Sequence, residues 1–401
     1  MSRIDDLLQK FCPDGVEFLP LVELFELKNG YTPSKSNSDF WREGTIPWFR
    51  IEDIRANGRV LTRALQNIPE KATKGGKVFP ANSILISTSA TIGEHALVTV
   101  PHLSNQRFTS LSLKPKYQDR FEIKFLFYYG FVLAQWCKEN TTVSSFAGVD
   151  MTGFKRFTFP LLPLEVQKEI VRILDTFTEL EAELEAELEA RKKQYEHYRN
   201  SLLSFPDHSV RWVPMGDVID LVTARTNRAD SGDRYVGVED LAKDKQGLRQ
   251  VGSFPSTDSG IGFEAGDILI GNIRPYLRKI WLSDFSGGTN GDVLTLRIKR
   301  DFEVEIDGQF MYQVLSSERF WQHAIATSKG AKMPRGDKAS IMKFEFPLVN
   351  LQTQTKIAQL LGRFEMLVNE QKSGLPAEIS ARRKQYEHYR NQLLTFKELV
   401  A

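Results

Sequence analysis

Two stretches of this chain repeat one another, and a duplicated chain has few architectures open to it. Residues 191–205 read Arg-Lys-Lys-Gln-Tyr-Glu-His-Tyr-Arg-Asn-Ser-Leu-Leu-Ser-Phe. Residues 382–396 read Arg-Arg-Lys-Gln-Tyr-Glu-His-Tyr-Arg-Asn-Gln-Leu-Leu-Thr-Phe, identical at 12 of 15 positions. A weaker match lies upstream: Phe159, Gln167, Ile170, Leu174 and Phe177 pair with Phe346, Gln354, Ile357, Leu361 and Phe364. Fainter still, Glu52-Asp53 pairs with Glu239-Asp240, and Phe18-Leu19-Pro20 with Trp212-Val213-Pro214. The chain is therefore two copies of one plan, a variable globular part followed by a long helical part.

The helical parts carry a seam. Ile173, Phe177, Leu180, Leu184, Leu188, Tyr195, Tyr198, Leu202 and Phe205 recur mostly at alternating steps of three and four, as in a coiled coil. Three Glu-Leu-Glu-Ala units fill residues 179–190, and these residue types favour helix strongly. The second copy (Ile357, Leu360, Phe364, Leu367, Gln371, Leu375, Ile379, Arg382, Tyr386, Tyr389, Leu393, Phe396) has one more four-residue step. Ser373-Gly374-Leu375-Pro376 is expected to interrupt it, with Pro376 in a first helical turn. The expected architecture is α+β: two pseudo-repeated globular domains joined by two long helices that form an antiparallel coiled coil. The expected domains are residues 1–160 and 207–347, with helical regions 161–206 and 348–401. In this arrangement the two copies of the repeated segment, Gln194, Tyr195, His197, Tyr198, Arg199 and Gln385, Tyr386, His388, Tyr389, Arg390, make similar surfaces. Such surfaces suit two copies of one partner.

Strand candidates in the first globular part are residues 46–51, 83–88, 96–100 and 108–113, with a helix within 123–138, a loop over 139–151 and a short strand ending at Pro160. In the second they are 235–238, 267–271, 279–282 and 293–298, with a helix within 309–325, a loop over 328–339 and a strand ending at Pro347. Phe125, Phe127, Trp136, Phe310, Phe320 and Trp321 read as core.

Net charge is +2, and it becomes +8 once the six glutamates of residues 179–189 are set aside. A mildly basic remainder suits a polyanion partner. The polar and basic loops are where such a partner would be touched. They offer Lys28, Asn29, Tyr31, Thr32, Lys74, Lys77, Asn105, Gln106 and Arg107 in the first part. In the second they offer Arg225, Asn227, Arg228, Asn272, Arg274, Tyr276, Arg278, Lys329, Lys332 and Arg335. Arg matches guanine edges and Asn or Gln matches adenine, while Lys suits phosphates.

Catalytic signatures are missing. No Asn-Pro-Pro-Tyr-like motif occurs, and Gly75-Gly76-Lys77-Val78 lacks the Ser or Thr of a phosphate loop. His95, His102, His197, His208, His323 and His388 have no metal spacing, so no metal or other cofactor is expected. Cys12 and Cys137 are the only cysteines, and the start lacks the apolar core of a signal peptide. There is no apolar run long enough to span a membrane. A cytoplasmic binding protein without membrane contact is the expectation. A coiled-coil adaptor whose globular ends bind other proteins is the alternative, and steep salt dependence would separate a DNA binder from it. A nuclease or methyltransferase with an unfamiliar site would show turnover by the purified chain alone.

These residues carry a family resemblance. The run Phe-Pro-Leu-x-x-Leu-Glu-x-Gln-x-x-Ile-Val-x-Ile-Leu-Asp (residues 159–175), the tandem Glu-Leu-Glu-Ala units, the Gln-Tyr-Glu-His-Tyr-Arg repeat and Gly374-Leu375-Pro376-Ala377-Glu378-Ile379 resemble type I restriction-modification specificity subunits over essentially the whole chain. The second run departs from the pattern, with Gln352 in place of Glu165 and Thr353 in place of Val166. The resemblance implies two target recognition domains, each reading one half of a bipartite double-stranded DNA site, with the helices setting the spacer. Two methyltransferase subunits and two restriction/translocase subunits would dock on the helical region. S-adenosylmethionine, ATP and Mg would belong to those partners.

Overall fold

The computed structural model describes residues 3–73, 75–142, 148–206, 210–369 and 374–399. Lys74, His208, Gln371 and Ser373 lie outside the described residues. The chain divides into two compact units. Met1–Glu181 with Arg382–Ala401 form the first, and Ala182–Ala381 the second.

Alternation at period two builds each unit around a sheet with two apolar faces. In the first unit the five-stranded sheet runs Phe25–Asn29, Phe108–Leu113, Ser83–Ser87, His95–Val98, Val60–Leu61. Ile84, Ile86, Leu97 and Leu111 face one core with the helix Ile123–Glu139. Leu85, Ala96, Val98 and Phe108 face a second core with Trp48 and Phe49. The second unit repeats this. Ile219–Leu221, Val293–Ile298, Ile268–Gly271 and Ile280–Leu282 form its sheet. Ile268, Ile270, Leu294 and Leu296 face one core, and Leu269, Trp281 and Val293 the other. Each unit adds a smaller sheet in which one strand pairs in parallel. Phe49 lies opposite Ser104 in the first unit and Val236 opposite Thr289 in the second. Each also closes with a two-stranded ribbon, Glu17–Pro20 on Thr158–Leu161 and Arg211–Pro214 on Glu345–Leu348. The six aromatics read as core are core or packed against it.

Two sequence expectations change at side-chain caps. The strand expected over 46–51 stops at Phe49, and Ile51–Asn57 is helical. The Asp53 carboxylate there accepts from the backbone N–H of Arg50 at 2.7 Å and of Leu65 at 2.6 Å. The single helix expected within 309–325 is two, Gly308–Leu315 and Glu318–Ala326, because Ser317 donates to the Val314 carbonyl and accepts from the Phe320 N–H. The expected loop over 139–151 carries a short pairing of Thr141–Thr142 with Gly148–Val149; residues 143–147 lie outside the described residues.

The Glu-Leu-Glu-Ala segment lies within one unbroken helix, Leu164–Leu202, 39 residues long, about 58 Å at 1.5 Å per residue. The second copy is two helices, Leu351–Asn369 and Leu375–Leu393, and Pro376 sits in the first turn of the latter. In the first unit, residues 164–181 lie antiparallel to residues from 382 onward. Phe177 stacks on Tyr389 at 5.6 Å and meets Tyr386 at 6.2 Å, and Arg383 donates to Glu181. In the second unit the partners are exchanged: Phe364 meets Tyr195 at 6.4 Å and Tyr198 at 5.2 Å. Most of the seam is only half-buried and Leu180 is 44% exposed, whereas Val166, Ile170 and Leu174 are fully buried against the domain core. The helix therefore has two apolar faces near its start, and the deeper one packs on the domain.

Each helix is buckled to its domain by one buried glutamine. Gln167 accepts from the Glu122 N–H (2.8 Å) and donates to the Arg120 (2.9 Å) and Leu162 (2.7 Å) carbonyls. Gln354 accepts from the Asp307 N–H (3.0 Å) and donates to the Glu305 and Val349 carbonyls, both at 2.7 Å. Both side chains are fully buried, so every polar atom must be paired, and the matched triads show that the repeat extends to individual hydrogen bonds.

Candidate nucleic-acid interface

In the first unit a glycine sets the site. A Cβ at Gly30 would lie 2.1 Å from the Asn105 carbonyl oxygen, so only glycine lets residues 28–32 pass this close to residues 104–106. The result is a concave surface of about 510 Å³ lined by Thr32, Asn105, Gln106 and Arg107, all expected, together with Lys35, Trp41, Trp48, Arg50, Glu52 and Gln66, which sequence reasoning missed. The Thr32 hydroxyl donates to Gln106 Oε1, which orients that amide. Trp41 packs edge-on against Trp48 at 5.0 Å, and the Arg50 guanidinium lies 5.5 Å from the Trp48 ring. The missed signal was two tryptophans, Trp41 and Trp48, each followed within two residues by an arginine.

The other described candidates of this unit do not line that surface. Tyr31 is turned inward, its hydroxyl donating to the Ala72 carbonyl at 2.6 Å. Asn29 accepts from the Thr109 hydroxyl, Lys28 pairs with Glu26 at 3.4 Å, and Lys77 is exposed elsewhere. Lys74 lies outside the described residues.

In the second unit two expected loops meet. Ile273 bridges to Arg335, and the Arg274 N–H donates to the Pro334 carbonyl at 2.7 Å. Arg274 and Arg278 both take left-handed backbone angles, φ 53° and 50°, flanking the turn Pro275–Leu277. Arg278 holds Glu318 through two bonds at 2.8 and 2.9 Å, Arg335 holds Asp292 at 2.8 Å, and Lys329 lies 3.3 Å from Asp337. The Ser340 hydroxyl, and then Lys329, hold the Asp337 carboxyl below its ordinary range. Arg274, Tyr276 and Lys332 are exposed around these pairs. Asn272, also among the expected residues, is held through its backbone. It is buried, its backbone N–H donates to the Asp292 carbonyl, and its backbone carbonyl accepts from the Gly336 N–H. The third expected group sits on the smaller sheet. Arg225 donates to the Ser259 hydroxyl, Asn227 accepts from the Asp230 N–H, and Arg228 pairs with Asp233 at 3.0 Å.

The repeated helical segments are less alike in space than in sequence. Tyr195 and Arg199 were expected on a docking surface, but both are buried in the second unit. Tyr195 donates to Gln313 and Glu365, and Arg199 to Gln313, Glu196 and the Ser316 carbonyl. Burial raises the Tyr195 phenol above its ordinary range. Their counterparts are more open: Arg390 lies 4.2 Å from the Phe131 ring, and Tyr386 is half-buried. Common to both copies are an amide held by the arginine three residues before it (Arg191 to Gln194, Arg382 to Gln385) and an exposed edge-to-face pair, His197–Tyr198 at 5.8 Å and His388–Tyr389 at 5.6 Å.

Among the described residues no three or more His, Cys, Asp or Glu side chains are grouped to hold a metal ion, and no helix is long and apolar enough to cross a membrane.

Residues 13–190 match the family described as Type I restriction modification DNA specificity domain. It is 62% identical over 221 residues, 52% of this chain and 55% of the relative, to the Type I restriction enzyme EcoprrI specificity subunit of Escherichia coli. It is 28% identical over 263 residues, 59% of this chain and 61% of the relative, to the EcoR124I/EcoR124II specificity subunit of the same species. The chain thus spans between half and two thirds of the length of these two relatives. The fold is that of the S subunit of a type I restriction-modification system from M. genitalium, with a TM-score of 0.51 at 14% identity, covering 95% of this chain and 96% of that one. A chain solved in work on complex assembly and conformational transition of the type I R-M system gives 0.58 at 15% identity, covering 95% and 98%.

Proposed function

We propose that this chain reads a bipartite, asymmetric double-stranded DNA site and directs methyltransferase and restriction subunits to it. Residues 1–160 and 207–347 act as target recognition domains, and residues 161–206 and 348–401 as the helical spacer. One observation carries the reading: a frame repeated down to its buried glutamines bears different loop side chains in its two copies. A shared frame with divergent loops suits two readers of two different short sequences. The name of the EcoprrI relative supports the specificity role.

In this reading the chain is non-catalytic. Methyl transfer from S-adenosylmethionine and Mg- and ATP-dependent translocation and cleavage belong to two methyltransferase and two restriction/translocase subunits in the cytoplasm. The exposed pairs His197–Tyr198 and His388–Tyr389 are the parts of the repeated segments that remain for docking, with Gln194 and Gln385 beside them. The test is co-purification with the methyltransferase subunit, followed by methylation-sensitive sequencing. Methylation of a split motif, one half of which changes when residues 210–345 are exchanged for those of a relative, is the expected result. A complex that forms but methylates nothing specific would leave docking and remove sequence reading.

A further inference from the structure

Several hydrogen bonds recur at matched positions of the two units, and aligning them reveals an exchange of charge. In the first unit the Asn105 side chain accepts from the Arg107 N–H, and the Arg107 carbonyl accepts from the Thr88 N–H at 2.9 Å. In the second the Asn290 side chain accepts from the Asp292 N–H, and the Asp292 carbonyl accepts from the Asn272 N–H at 2.7 Å. Position for position, Gln106 and Arg107 therefore correspond to Gly291 and Asp292. The parallel pairings that match Phe49 with Val236 also match Arg50 with Gly237. At the neighbouring rim the bridge Ser89–Gly148 corresponds to Ile273–Arg335, which aligns Ala90 with Arg274. Both of these residues take the same left-handed backbone, φ 62° and 53°.

The first unit thus carries Arg107 on the turn at residues 105–107 and Arg50 beside Trp48, where the second unit has Asp292 and Gly237, with Gly291 in place of Gln106. That aspartate, Asp292, is itself neutralised by Arg335 at 2.8 Å. The second unit carries the exposed Arg274 on the loop where the first has Ala90.

Building on the proposed DNA-reading role, we infer that the two units read bases with different rims of one fold: the first with Arg50, Gln106 and Arg107, the second with Arg274 and Tyr276. Donor chemistry supports the assignment. A guanidinium matches the two acceptors of a guanine edge, and an amide held by Thr32 is set for an adenine edge. Glycine and a paired carboxylate offer neither.

The test uses the complete methyltransferase complex on DNA libraries randomised in each half-site. Arg107→Ala and Gln106→Ala should each reduce discrimination at a position of one half-site by about tenfold, leaving the other half-site as in the parent. Arg274→Ala should do the same in the other half-site. The matched positions serve as controls: Ala90→Gly and Gly291→Ala should change nothing, since the left-handed backbone at Ala90 suits glycine and Gly291 has open space for the added methyl group. Loss of methylation that is uniform across all sequences in Arg107→Ala and Arg274→Ala would mark phosphate contacts and overturn the inference. So would control variants that relax their half-sites. A parent complex that reads a split motif with all these variants intact overturns this inference alone; a parent complex that reads no split motif overturns the DNA-reading role as well.

Discussion

Single buried polar residues decide much of this structure. Gln167 and Gln354 each satisfy one N–H and two carbonyls at the foot of a helix. An alanine at either position would strand three buried backbone groups. Each variant should lose about 2–4 kcal/mol in urea unfolding, and a loss below about 1 kcal/mol would mean that water replaces the amide. Two buried histidines predict a pH dependence. Burial, followed by the nearby Arg59 charge, lowers His95 to about 3, and burial lowers His102 to about 4. Unfolded imidazoles titrate near 6.5, so below that pH the unfolded chain binds protons that the folded chain refuses. Their contribution is complete above about pH 6.5 and is lost as pH falls through the folded values. The urea midpoint should drop from pH 7 to pH 5, and the double variant His95→Gln, His102→Gln should flatten that drop. The sequence did not disclose the burial of Asn272, Tyr195 and Arg199. Asn272 is held through its backbone by Asp292 and Gly336, and the Tyr195 and Arg199 side chains share Gln313; the aspartate and Gln313 are remote along the chain, and a polar residue gives no local sign of where it will be satisfied.

At the scale of elements, periodicity was readable and side-chain caps were not. The strands Phe108–Leu113 and Val293–Ile298 fall where alternation placed them, because burial on both faces leaves the register no freedom. The break at Ser316-Ser317 carries no Gly or Pro, so a helical apolar pattern ran straight across it. Of the interface, the turn at residues 105–107 and Thr32 were legible as polar loop residues. Trp41, Trp48 and Arg50 were not, because aromatic residues are more often core and only the fold turns this group toward a cleft. The helix Leu164–Leu202 predicts its own test. One added Glu-Leu-Glu-Ala unit lengthens it by about 6 Å and rotates its far end. The spacer of the methylated motif should change while both half-sites stay the same, as read by sequencing methylated DNA. Altered half-sites would show that the helix is no ruler.

At the scale of the whole molecule, the first unit is assembled from both extremes of the sequence. Residues from 382 onward complete its core: Leu394 is buried there, Tyr386, Leu393 and Phe396 pack beside it, and the backbone of Val16 bonds to Lys397 and Leu399 at 2.9 Å each. Deleting residues 382–401 should therefore destabilise the first unit by roughly 3–5 kcal/mol or more and leave the second unit's calorimetric transition in place. A single transition that falls as a whole would show that the two units melt together. The same discontinuity bears on synthesis. The 200 residues of Ala182–Ala381 separate the two pieces of the first unit. At ribosomal rates of about 5–20 residues per second, that is a wait of about 10–40 s. The unit translated first is thus finished last. Throughout that interval, while the second unit is being made, the first unit's apolar docking face stands open on the nascent chain.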